Sequence, residues 1–94
     1  MGTIHMVRAE VLYSGCVQGV GFRFTARSTA GRYAVTGFVR NLSNGKVELV
    51  AEGERAAVDA FLSELASLME GNIDSAQVNW APPTGEFKAF NIRF

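Results

Sequence analysis

Apolar residues recur along this chain at two spacings, every second position in some stretches and every third or fourth in others. From Met6 to Tyr13, Val7, Ala9, Val11 and Tyr13 share one face while Arg8 and Glu10 share the other, which is the period of a half-buried strand. The run stops at Gly15-Cys-Val-Gln-Gly-Val-Gly21, whose three glycines break regular structure. From Phe22 the spacing turns helical. Phe22, Ala26, Thr29, Ala30 and Tyr33 fall on one side, with Arg23, Arg27 and Arg32 away from it. Gly31 is read inside this helix, at a cost of about 1 kcal/mol relative to Ala. A strand is predicted from Val35 to about Leu42, then a hairpin at Asn44-Gly45. On the returning strand Val47, Leu49 and Ala51 face inward, and Glu48 and Glu52 face the other way. After Gly53, Val58, Phe61, Leu62, Leu65, Leu68 and Met69 follow the i, i+3, i+4, i+7 rule, with Gly71 as the stop. Ala76, Val78 and Trp80 alternate in a further strand, and Pro82-Pro83 and Gly85 turn the chain. Phe90, Ile92 and Phe94 alternate in a short last strand; Trp80, Phe90 and Phe94 are read as packing residues.

The order is βαββαβ with one extra terminal strand. Two helices with apolar stripes must bury them on one face of a mainly antiparallel sheet, which predicts an α+β, ferredoxin-like split βαβ sandwich. In that topology the first two strands run in the same direction. Their C-terminal ends share an edge, so the glycine loop and Arg40-Asn41 become neighbours.

Ninety-four residues suffice for one domain, expected over residues 6–94 behind a loose tail at 1–5. The chain is 48% hydrophobic and 19% charged, a globular mix. Nine basic and nine acidic residues cancel, which argues against nucleic acid or an anionic membrane as the partner. Cys16 is the one cysteine and His5 the one histidine, so neither an internal disulfide nor a Cys/His metal cluster is expected. No apolar run is long enough to span a bilayer, and the start lacks the layout of a secretory signal. These features predict a soluble, metal-free single domain in the cytoplasm; a monomer is expected, although no feature of the sequence fixes the oligomeric state.

The chemistry concentrates at residues 15–23. Gly15, Gly19 and Gly21 let the loop turn consecutive N–H groups into one hollow. The helix starting near Phe22 aims its free N–H groups and positive dipole end at the same place. Arg23 adds a planar fork of donors suited to phosphate. A P-loop would need Gly-Lys-Ser/Thr where Gly21-Phe22-Arg23 stands, and a dinucleotide fingerprint would need glycine at Phe24. A cysteine-nucleophile phosphatase is disfavoured too: six residues separate Cys16 from Arg23 where that signature has five, and Gly15, not histidine, precedes the thiol.

GCVQGVGFR at 15–23, GFVRN at 37–41 and NGKVE at 44–48 together resemble the acylphosphatase family, over the chain from Met6 to Phe94. The resemblance implies a ferredoxin-like fold and hydrolysis of small acyl phosphates to a carboxylate and inorganic phosphate, without metal or cofactor. It implies Arg23 as the phosphate-binding arginine and Asn41 as the residue positioning the attacking water. The backbone N–H groups of Cys16, Val17, Gln18, Gly19, Val20 and Gly21 would form the phosphate cradle. Cys16 stands where relatives are often basic. The competing reading is a non-catalytic phosphate-sensing or RNA-binding module of the same fold. Asn41 discriminates, since a mere anion binder has no use for a water-orienting amide.

Overall fold

A computed structural model describes residues 5–94 of the chain; residues 1–4 of the expected tail lie outside the described residues. The elements run β1 (Met6–Gly15), α1 (Phe22–Ala30), β2 (Val35–Asn41), β3 (Val47–Glu54), α2 (Arg55–Leu68), β4 (Ile73–Ala81) and β5 (Phe90–Arg93). They form one sheet in the order β4-β1-β3-β2-β5. All neighbours are antiparallel except β2 and β5, which are parallel. Both helices lie on one face of the sheet, so the architecture is the α+β, ferredoxin-like sandwich expected from the order of periods.

The period-two residues of β1 meet those of β3 in register, Ala9 opposite Ala51 and Val11 opposite Leu49. With Val39 and Val47 they form the sheet side of a core closed by Phe22, Ala26, Val58, Phe61 and Leu65. Gly37 interrupts β2 because a side chain cannot fit: at φ +144° a Cβ would overlap the Val50 carbonyl. The bare backbone there also lets its N–H reach the Ala89 carbonyl at 3.0 Å, which seats β5 alongside.

Some details depart from the sequence expectations. The first helix ends at Ala30, and Gly31 is its C-cap, not an interior residue. Tyr33, expected on the helix, lies in the turn beyond and still packs against the core. The second helix stops before Gly71, with Met69 as its cap, and Leu68 is left exposed. Trp80 and Phe94 are not core residues: both are exposed, and only Phe90 of the expected trio is buried. The helices pack on β1, β2, β3 and β5, so the alternating face of β4 has little to pack against. Arg55 instead lies 3.8 Å from the Trp80 ring centroid, which covers one face of the indole.

Glu52 lies on the face away from the helices, as its place in the alternation predicts, and there it is buried, only 4% exposed. The 82–89 connection folds over it. The Thr84 and Gly85 N–H groups each donate to its carboxylate at 3.0 Å, as does the Thr84 hydroxyl, and Arg8 donates from the other side at 2.9 Å. Burial pushes this carboxyl up, but the Thr84 and Gly85 N–H groups, Arg8 and the Thr84 hydroxyl together outweigh burial and hold it below the usual glutamate range. A carboxyl depressed in the folded state contributes stability above its unfolded pKa and loses it as pH falls through the folded value. Glu52→Gln is therefore expected to cost about 1–3 kcal/mol at pH 7. It should also weaken the loss of stability on acidification below about pH 4.5, read by urea denaturation at pH 7 and pH 3.

Candidate active site

Tyr13 of β1 and Asn41 of β2 are both register partners of Val47 on β3. The two strand ends therefore sit at one edge, two inter-strand spacings or roughly 10 Å apart. The loop from Cys16 to Gly21 fills that gap. It is fixed at both ends by burial: Val17 is 1% exposed, and Phe22 lies under the sheet edge with its ring 4.8 Å from that of Tyr13. Between these anchors the backbone bends through the left-handed region at Gly19 (φ +76°) and Gly21 (φ +78°), which favours glycine at both positions.

Gly21 is the N-cap of α1. No side chain caps the helix start, and no acidic residue lies in its first turn, so its N–H groups and dipole are left for an external anion. Val17, Gly19, Gly21, Phe22, Arg23, Phe24 and Asn41 line a cavity of about 180 Å³ at this point. Salt bridges among the described residues engage Arg8, Arg32, Arg40 and Arg55 but not Arg23. Among the described residues, no carboxylate forms a salt bridge with it.

Of the residues expected in the cradle, Val17, Gly19 and Gly21 thus line the same cavity as Arg23 and Asn41. Cys16, Gln18 and Val20 belong to the loop but not to that lining, and the Cys16 thiol is exposed. Gln18 has another task. Its Nε2 donates to the Leu42 carbonyl at 2.7 Å and the Lys46 carbonyl at 2.8 Å. Leu42 and Lys46 are themselves paired across the base of the hairpin. The side chain thus ties the glycine loop to the residue after Asn41. Gln18→Leu removes both donors at similar length and is expected to lower kcat/KM about tenfold by loosening the alignment of loop and amide, measured by steady-state hydrolysis.

Two residues here escaped the sequence reading. Phe24 lines the cavity, although its position opposite the apolar stripe marks it only as solvent-facing. Phe94 places its ring 4.9 Å from the Arg23 guanidinium carbon. The signal for Phe94 was available only through the sheet: β5 runs parallel to β2 with Arg93 opposite Arg40, which carries the next residue to the Asn41 edge.

Known proteins are similar to this chain over nearly its whole length. The profile of the acylphosphatase family matches residues 9–92. The acylphosphatase of Roseiflexus sp. (strain RS-1) is 47% identical over 88 residues, covering 93% of this chain and 95% of that one. The acylphosphatase of Methylococcus capsulatus is 52% identical over 91 residues, covering 93% and 96%. The crystal structure of acylphosphatase from Bacillus subtilis superposes with a TM-score of 0.84 at 25% identity, covering 94% of this chain and 99% of that one. The chain belongs to the acylphosphatase family.

Proposed function

We propose that residues 6–94 are one catalytic unit hydrolysing the carboxyl-phosphate bond of small acyl phosphates, with Arg23 and the 16–21 loop holding the phosphoryl group and Asn41 orienting the water. The observation that carries this reading is the convergence of Arg23, Asn41, Gly19 and Gly21 on one cavity at the uncapped start of α1. The phosphoryl oxygens accept from loop and helix N–H groups and from the arginine fork, whose charge gains most where negative charge accumulates in the loose transition state. The Asn41 amide, donor and acceptor at once, holds a water in line with the departing carboxylate.

The leaving group is the anion of an acid whose pKa lies near 4, so it departs at neutral pH without a general acid. A site built from an arginine, an amide and backbone N–H groups is adequate for that reaction, although it would be inadequate for an alkyl phosphate. The products are the carboxylate and inorganic phosphate. No helix among the described residues is long and apolar enough to cross a membrane. The protein is further proposed to act as a cytoplasmic monomer, and sedimentation of the purified chain tests the oligomeric state.

The test of function is hydrolysis of benzoyl phosphate, followed optically. The expected result is turnover that inorganic phosphate inhibits competitively and that EDTA leaves unchanged. Binding of phosphate without turnover would instead favour a sensing module and overturn the assignment.

A further inference from the structure

Arg23 makes no salt bridge among the described residues to fix its orientation, yet a phosphate clamp depends on where its donors point. The group that meets it is an aromatic ring. The Arg23 guanidinium carbon lies 4.9 Å from the centroid of Phe94, a residue 96% exposed and therefore not held in place by the core. The strands explain the meeting. Because Arg40 and Arg93 are partners in the parallel β2–β5 pair, Asn41 and Phe94 are the next residues of two adjacent strands, arriving together at the cavity edge.

We infer that Phe94 is a positioning residue for phosphate binding, its ring supporting the Arg23 guanidinium so that the planar fork is preset toward the phosphoryl group. The inference rests on the reading that Arg23 binds that group. The physics separates the two contacts made by one side chain. A guanidinium is attracted to a ring through its π face, whereas it donates hydrogen bonds from its edges, in plane. A ring is therefore a support that competes for none of the donors. A carboxylate in the same place would orient the arginine equally well but would occupy its N–H groups and repel the substrate. The arrangement limits the rotamer freedom that Arg23 must lose when phosphate binds.

The interaction is present before and during reaction, so it acts on binding more than on the chemical step. Phe94→Leu keeps apolar bulk and removes the π face; Phe94→Tyr keeps it. Phe94→Leu is expected to raise the Kd for inorganic phosphate, measured by titration calorimetry, about three- to tenfold. KM for benzoyl phosphate should rise in parallel while kcat stays within about twofold, and Phe94→Tyr should match the parent. In an Arg23→Lys background, where the ammonium has no planar face to stack, Phe94→Leu should change phosphate affinity less than twofold. The inference is overturned if Leu and Tyr behave alike, or if the effect of Phe94→Leu survives undiminished in the Arg23→Lys background. Phosphate affinity is read without turnover, so failure of the unaltered chain to hydrolyse benzoyl phosphate would sink the activity while leaving this result decisive.

Discussion

Arg23→Ala is expected to fold as the parent does and to lose about 10²–10³ of its turnover, the scale of removing one aimed electrostatic donor. Arg23 makes no salt bridge among the described residues, so its removal strands no buried carboxylate. The helix start is held by Phe22, 2% exposed against Tyr13, not by the arginine. The loss should therefore fall on the reaction and spare the melting temperature. Arg23→Lys keeps the charge and is expected to recover only a small part of the rate. A lysine presents a point charge on a flexible stem, whereas the proposed clamp needs two in-plane donors at fixed separation to match two phosphoryl oxygens. Steady-state kinetics with benzoyl phosphate, with circular dichroism to confirm the fold, decide the matter. Near-parental rates in Arg23→Ala would remove Arg23 from the reaction, and near-parental rates in Arg23→Lys would show that the charge suffices without the planar fork.

The parts of this protein that the sequence exposes are those governed by local rules. The alternation in β1 and β3 and the i, i+4 stripe of α2 report directly on which side of each element is dry. The three glycines of the 15–21 loop identify a bent backbone because few other residues tolerate it. What the sequence leaves hidden depends on residues far apart meeting. Val78 and Trp80 alternate as core residues do, but alternation cannot say whether a helix covers that face, and at the outer strand β4 none does so effectively. The alternation places Glu52 on the outer face but gives no sign of its burial, because the groups that bury it lie 32 and 33 residues further on. Gln18 looks like one more loop residue until the hairpin carbonyls, 24 and 28 positions away, come within reach. The site shows the same division. Arg23 and the loop are local and legible, whereas the support behind Arg23 depends on the parallel register of β5.

Asn41→Ala is expected to keep phosphate affinity within about threefold of the parent while cutting kcat by about 10²–10³. The split follows from position. Asn41 ends β2, across the cavity mouth from the glycine loop, and shares the lining with Gly19, Gly21 and Arg23. On the proposed reading, phosphate affinity comes from the charge of Arg23 and the backbone N–H groups, none of which the substitution touches. A water held by the amide contributes only when it must approach phosphorus in line. Asn41→Asp sharpens the case. The side chain keeps its shape and an acceptor, but it loses the donor and adds a negative charge beside a bound phosphoryl group. Repulsion should then weaken phosphate binding as well as turnover at pH 7, where a carboxylate of ordinary pKa is ionised. If Ala lost affinity and rate in equal measure, Asn41 would be a phosphate ligand, and the water would need another holder. If Asp bound phosphate as tightly as the parent, the anion would have to lie away from Asn41, and the shared cavity would not be the place where the reaction occurs.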